Sequence, residues 1–122
     1  MKDFRDLKVW EKAHQLTLAT YKVTAEFPRH ELYTLVSQMR RSSSSIAANI
    51  AEGCGRRGNG EFHKFLQNSA GSASELEYQF LLAHDLSYIS QEQYALLQDG
   101  VTEVKRMLSG LISRVESERL SH

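Results

Sequence analysis

The sequence has little of what cross-links or anchors a chain. Its 122 residues include a single cysteine, Cys54, so no disulfide can form within the chain. A lone cysteine is typical of proteins from reducing compartments. The sequence contains no run of 18 or more apolar residues, the length needed to span a membrane, and its first residues lack the apolar segment of a signal peptide. These absences predict a cytoplasmic protein that does not enter a membrane, with residues 1–122 forming one domain.

An excess of charge of one sign is also missing. Fifteen Lys and Arg residues balance fifteen Asp and Glu residues. The net charge therefore gives no support for nucleic-acid binding, and such a function would have to rest on local clusters of basic residues. Apolar residues make up 41% of the chain and charged residues 25%, which is typical of a globular protein rather than a disordered one.

Proline and glycine are scarce, and their positions divide the chain. The only proline is Pro28, and four of the seven glycines fall between residues 53 and 60. Together with the segment 86–90, these breaks separate four segments in which apolar residues recur every three or four positions, a period typical of helices. No segment alternates as a strand would, and short connections favour antiparallel neighbours. The fold class predicted is all-α, an antiparallel up-and-down four-helix bundle with helices at about residues 6–26, 31–53, 59–86 and 91–118.

Each predicted helix carries one stripe of residues spaced for a single face. The stripes are Leu7, Trp10, His14, Leu18, Tyr21 and Ala25 in the first helix; Leu32, Val36, Met39, Ser43, Ile46, Ile50 and Gly53 in the second; Phe62, Leu66, Ser69, Ala73, Leu76, Phe80 and Ala83 in the third; and Tyr94, Leu97, Val101, Val104, Leu108, Leu111 and Val115 in the fourth.

Small and polar residues mark the helix ends and two helix interiors. Asp3 or Asp6 is expected to cap the first helix, Asn59 the third, and Ser90 the fourth within a capping box. The serine run at residues 42–45 could be a linker, but apolar periodicity resumes in register across it, so we predict a continuous helix. The small residues at 69–74 are expected to face this run or another subunit.

The sequence offers little for catalysis or metal binding. A di-iron bundle needs two Glu-x-x-His pairs, and only Glu11 with His14 fits that pattern. Cys54 lies in a glycine-rich stretch without a base at a recognisable spacing, and this stretch lacks the pattern of a phosphate-binding loop. A helix cap and a turn explain the glycines more simply. We predict no catalytic residue, no metal and no cofactor.

Basic residues form two local clusters. Arg40 and Arg41 are adjacent, as are Arg56 and Arg57, with Lys64 nearby in the chain. If the second helix continued past residue 53, both pairs would lie on related faces and could form a phosphate-binding stripe. Alternatively, arginines near helix ends satisfy carbonyl groups and acidic neighbours. These five residues are the candidate nucleic-acid-binding residues.

Three blocks of the sequence resemble one known family. They are DLKVWEKAH at residues 6–14, QMRR at 38–41 leading to SIAANIAEG at 45–53, and residues 65–77 with their Phe-Leu, Gly-Ser and Glu-Leu-Glu elements. In this order they resemble the four-helix-bundle family of 23S ribosomal RNA intervening-sequence proteins. Two departures are Ser42, where the family often has alanine, and Ala70, where it often has arginine.

The resemblance implies an assembly and a class of partner. Family members form rings, commonly homopentamers, and some are encoded inside ribosomal RNA genes. A related branch, the accessory variability protein of diversity-generating retroelements, partners a reverse transcriptase and binds nucleic acid through a basic surface. The expectation is a non-catalytic homo-oligomer that binds RNA, DNA or a nucleic-acid enzyme. The alternative is a protein-protein assembly scaffold that binds no nucleic acid. The family brings no catalytic residues.

Five residues within these blocks are expected to have structural or interface roles. Asn49 and Glu52 lie three positions apart beside apolar residues, so they are expected to fix helix register or a subunit contact, and Glu75 could do the same on the third helix. Trp10 is a large amphipathic side chain suited to anchoring helices or subunits. His14 is expected to be a hydrogen-bonded core or interface residue.

Overall fold

The computed structural model describes residues 3–120, and this part of the chain folds into helices without a strand. The four long helices are α1 (Lys8–Thr24), α2 (Ser37–Cys54), α3 (Gly58–Asp85) and α4 (Gln91–Leu120). Short 3-10 turns precede α1 and follow Pro28, and a π-helical segment, Leu32–Val36, leads into α2. The all-α class and the four helices are as predicted. No helix within residues 3–120 is long and apolar enough to cross a membrane.

The helices form an antiparallel bundle. Each helix packs against its neighbours along the chain, and α1 also packs against α4. The contacts run in opposite sequence order: Ser42 bonds to Glu75, whereas Ser45 bonds to the earlier residue Ser72. The connections at residues 55–57 and 86–90 are short, which favours this up-and-down arrangement.

The serine run is helical and lies at the α2–α3 contact, as predicted. The hydroxyl groups of Ser45 and Ser72 are 2.9 Å apart across the interface. Ser69, which is fully buried, donates to the backbone carbonyl of Ile46 at 2.8 Å. Small side chains allow the two backbones to approach closely. The hydroxyls of Ser42, Ser45 and Ser69 have partners on the opposite helix, whereas Ser43 and Ser44 donate to carbonyls three residues earlier in α2.

The predicted stripes of α2, α3 and α4 face the core, with two exceptions at their edges. All seven stripe residues of α3 are buried, as are those of α4 from Leu97 to Val115. Tyr94 is only half-buried. Leu32 is 46% exposed because it lies in the π-helical segment rather than in regular helix.

The stripe predicted for the first helix is wrong. Leu18 and Tyr21 are 57% and 43% exposed, and the buried residues are Val9, Ala13, Leu16, Thr20 and Thr24. Thr20 and Thr24 can be buried because each donates its hydroxyl to the carbonyl four residues earlier, at 2.8 and 2.7 Å. The helix therefore carries two stripes with helical spacing. The predicted stripe faces outward, and its residues Leu18 and Tyr21 remain exposed.

Two of the predicted helix caps are wrong and one is confirmed. Asp3 accepts from the amide of Arg5 and caps the 3-10 turn, whereas α1 starts after Leu7 without a side-chain cap. Asn59 lies inside α3, which starts at Gly58. The capping box at Ser90 is present, because its amide donates to the Gln93 side chain at 2.8 Å and its hydroxyl accepts from the Gln93 amide at 3.1 Å.

Candidate nucleic-acid interface

The two arginine pairs lie at opposite ends of α2. Arg40 and Arg41 are in its first turns, whereas Arg56 and Arg57 follow its last residue, Cys54. Fifteen residues at 1.5 Å each separate the pairs by roughly 20 Å along the axis. The chain turns at Gly55, so α2 does not continue, and the condition for a stripe with both arginine pairs on related faces is not met.

Arg40 is used within the bundle. Its Nε donates to the Thr24 hydroxyl at 3.0 Å, and its Nη2 donates to the carbonyl of Tyr21 at 3.3 Å. The guanidinium also lies 4.8 Å from the centre of the Tyr21 ring. A cation that satisfies the carbonyl end of α1 is a stabilising arrangement, and it leaves Arg40 poorly placed to bind a phosphate.

Arg56 is also compensated, whereas Arg57 and Lys64 are not. Arg56 pairs with Glu52 at 2.8 Å and lies 5.0 Å from the centre of the Phe65 ring. Arg57 is exposed in an extended conformation just before α3, and Lys64 is exposed about two turns into that helix. Neither makes an ion pair within residues 3–120. The structure therefore brings these two uncompensated cations to one end of the bundle.

Arg41 stands apart from this end. It is exposed and lines a surface groove with Tyr21, Leu32 and Tyr33, close to the start of α2. Arg40 also lines this groove but is bonded to α1, and the other lining residues are uncharged. These surroundings fit a protein contact better than a phosphate backbone, which is bound mainly by clustered cations.

Three further cations converge where the sequence shows no cluster. Lys8 in the first turn of α1 and Arg106 and Arg114 on α4 line one groove of about 350 Å³, with Gly110 between the two arginines. We call it the α1–α4 groove. The spacing of four residues from Arg106 to Gly110 and again to Arg114 places all three on one face of a helix, and this signal could have found them. A search for adjacent cations in the sequence misses the site.

Trp10 and His14 form a stacked aromatic pair on α1. Their rings stack with centroids 5.1 Å apart and an angle of 7° between planes, and the Phe4 ring also contacts Trp10, with centroids 4.8 Å apart. Trp10 is half-buried and His14 is exposed. His14 is therefore not a core residue, and its role at a subunit interface stays a prediction.

Asn49, Glu52 and Glu75, the polar residues expected to fix helix register or a subunit contact, have different partners. The Asn49 side-chain amide donates to the carbonyl and the hydroxyl of Ser45, one turn earlier on the same helix. Glu52 pairs with Arg56. Neither of these pairs bridges two helices. Glu75 does, because it accepts from Ser42 of α2 at 3.0 Å.

A polar cluster joins the two connections at the other end of the bundle. Tyr88 donates to Glu31 at 2.7 Å, and Thr34 donates to the other carboxylate oxygen. These two hydrogen bonds, Thr34 first, lower the pKa of Glu31, and the bond to Glu31 raises the pKa of Tyr88. The His30 ring lies 3.9 Å from the same carboxylate. The cluster ties the segment after α1 to the segment after α3.

Groups suited to metal binding or nucleophilic attack are sparse. Within residues 3–120, no group of three or more His, Cys, Asp or Glu residues could hold a metal ion. Cys54 is buried, with 4% of its surface exposed. A thiol in this position packs as a small apolar side chain.

A family model and a solved structure relate the chain to known proteins. A family model described as 23S rRNA-intervening sequence protein matches residues 5–110. No curated protein matches the chain. A crystal structure of a protein of unknown function from the S23 ribosomal protein family of Bacteroides thetaiotaomicron is similar, with a TM-score of 0.78 and 27% identity. The match covers 86% of this chain and 95% of that one. The chain therefore belongs to the family of 23S rRNA-intervening sequence proteins.

Proposed function

We propose that this protein is a non-catalytic, cytoplasmic assembly module that forms a homo-oligomeric ring and binds RNA or DNA at one end of its bundle. The observation that supports the proposal best is the segregation of its exposed surface. Eight of the nine exposed large apolar side chains within residues 3–120 lie in one half of the bundle, and two exposed cations without an ion pair, Arg57 and Lys64, lie at the opposite end.

The apolar half contains the connections at residues 25–36 and 86–90. Of the nine large apolar side chains that are exposed within residues 3–120, eight lie in this half. A concentration of exposed apolar surface marks an interaction site, because isolated exposed residues would be scattered. The eight residues are Leu18, Tyr21, Leu32, Tyr33, Tyr78, Leu81, Leu86 and Leu96.

These residues form at least two separate patches. Tyr21, Leu32 and Tyr33 line one groove beside the start of α2. Tyr78 and Leu81 lie one turn apart on α3, which shares no substantial contact with α1 in the bundle. Contact between unlike patches of two copies is heterologous, and such contacts close into a ring when the rotation allows it. A ring of five is the number that the family resemblance favours.

Charge is distributed unevenly between the halves. The half with Arg57 and Lys64, made of residues 3–15, 46–71 and 106–120, has nine Lys and Arg residues against seven Asp and Glu residues. The apolar half has five against eight. A polyanion is therefore repelled less at the basic end. In a ring, symmetry repeats this end and increases the avidity of a weak patch.

Tyr33 and Tyr78 provide the test of assembly. Both side chains are well exposed, at 89% and 60%, so Tyr33→Glu and Tyr78→Glu should leave the helical content unchanged. Light scattering after size-exclusion chromatography should show a ring for the wild type and for the control variant Leu120→Glu, but smaller species for the two tyrosine variants. A wild-type monomer would refute the ring.

The proposed binding of nucleic acid is tested by comparing two variants that lose the same charge at different places. Binding of short single-stranded RNA and DNA should fall steeply between about 50 and 200 mM salt. The double variant Arg57→Gln with Lys64→Gln should weaken binding. The control, Lys22→Gln with Arg29→Gln, removes the same charge from exposed residues in the apolar half and should bind as the wild type does. Equal loss in both variants would mean that net charge alone controls binding.

The second candidate function is a scaffold that binds only protein. It is favoured by the internal use of Arg40 and Arg56, which removes two of the five expected contacts. A ring that binds neither RNA nor DNA at low salt would support the protein-binding scaffold instead.

A further inference from the structure

We propose that the α1–α4 groove is a binding site for a backbone phosphate of the nucleic acid. The inference rests on the proposed function. It adds a site that lies outside the two basic clusters of the sequence, and it names the chemical group that this site binds. The residues that line this groove include three cations, a glycine that packing does not require and the first two residues of α1, whose backbone amides have no partner among the described residues.

The cations of the groove are largely uncompensated. No acidic residue is among those that line it in the described part of the chain. Lys8 and Arg114 make no ion pair within residues 3–120, and Arg106 has only a contact of 4.0 Å with Glu103. Exposed contacts of this length contribute little, so the positive charge remains available to an anion.

Gly110 gives access to the helix backbone between the two arginines. A Cβ built at this position would meet nothing within 4 Å, so packing does not require glycine here. Glycine inside a helix costs about 1 kcal/mol relative to alanine. Arg106 and Arg114 are separated by about 12 Å along α4, and a ligand between them can approach the backbone closely at Gly110.

The first turn of α1 adds donors to the same groove. Leu7 precedes the helix and supplies no side-chain cap. The amides of Lys8 and Val9 find no acceptor within the described residues. Uncapped amides and the positive end of the helix dipole favour an anion, and they reinforce the three side chains rather than define the site alone.

A second groove at this end of the bundle has the opposite character. It lies beside α3 and is lined by Glu116, which contacts His63 at 2.9 Å and Arg119 at 3.0 Å. A carboxylate in this position repels a phosphate. Of these two grooves, the one on the α1 side of α4 is therefore the better anion site.

Two kinds of variant test the groove by fluorescence anisotropy with a short single-stranded RNA. Arg106→Gln with Arg114→Gln should weaken binding about tenfold and reduce the salt slope by roughly 0.7, the contribution of one phosphate contact to a single strand. Gly110→Leu keeps the charge but fills the groove, and it should also weaken binding. The Lys22→Gln with Arg29→Gln control should change affinity less than about twofold.

The outcomes separate this inference from the proposed function. If both groove variants bind as the wild type does while Arg57→Gln with Lys64→Gln loses binding, the groove is refuted and the proposed function stands. Calorimetric titration with sodium pyrophosphate tests whether the groove binds a small phosphate compound rather than a nucleic-acid backbone. Pyrophosphate binding that requires Arg106 and Arg114, without any RNA or DNA binding, would overturn the backbone assignment together with the proposed function.

Discussion

Gly53, near the end of α2, provides a quantitative test of the α2–α3 contact. A Cβ at this position would lie 3.0 Å from Cδ1 of Phe62 and 3.0 Å from Cβ of Phe65. The Phe62 ring is buried, and the Phe65 Cβ is fixed to the backbone, so the Phe65 contact cannot be relieved without shifting α2 or α3. Overpacking of this kind typically costs about 1–3 kcal/mol.

The matched control for Gly53→Ala is Gly71→Ala. Gly71 is an exposed glycine in the middle of α3, and an added Cβ there meets nothing within 4 Å. Both variants gain helix propensity of up to about 1 kcal/mol, so their difference isolates the crowding. We expect Gly71→Ala to raise the free energy of unfolding and Gly53→Ala to fall below it by about 1–3 kcal/mol.

Urea unfolding at a single protomer concentration measures this difference, because assembly makes stability depend on concentration. Circular dichroism should show the same helical content for both variants. If Gly53→Ala is as stable as Gly71→Ala, then α2 and α3 do not approach each other as closely as the structure shows, and the reasoning fails.

Three further predictions concern the core, a cap and the polar cluster. Phe80→Ala removes a fully buried ring and should lower the free energy of unfolding by about 3–5 kcal/mol in urea. Ser90→Ala removes the hydroxyl that accepts from the Gln93 amide and should lower the free energy of unfolding by about 1 kcal/mol in the same measurement. Hydrogen bonds from Thr34 and Tyr88 lower the pKa of Glu31 below its ordinary value of 4.5, so this carboxylate stabilises the fold above that pH and the contribution is lost as the pH falls through the folded pKa. The stability advantage of the wild type over Glu31→Gln should therefore shrink on acidification from neutral pH.

Each of these predictions can fail in a distinct way. A loss below about 1 kcal/mol for Phe80→Ala would mean that the core collapses around the cavity or is not packed as described. An unchanged midpoint for Ser90→Ala would indicate that the start of α4 is held by packing alone. An advantage over Glu31→Gln that is constant with pH would show that the carboxylate has the same pKa in the folded and unfolded states.

The sequence alone determined the helices and most of the core. A period of 3.6 residues is a local property, so the stripes of α3 and α4 could be assigned without tertiary information. The capping box at Ser90 could be recognised for the same reason, because its two hydrogen bonds connect residues three positions apart. The serine run was assigned to helix because the apolar period continues through it.

The tertiary structure alone decided which face of α1 is buried and which cations remain free. Two stripes on α1 have helical spacing, and only packing against α2 and α4 selects the one with Val9 and Leu16. Arg40 is occupied by α1, a neighbour that no local pattern identifies. The α1–α4 groove joins Lys8 to Arg106 and Arg114 across about 100 residues, because the first and last helices meet only when the bundle closes. Local periodicity fixes elements, whereas a binding surface depends on long-range contacts that the chain makes after its helices pack.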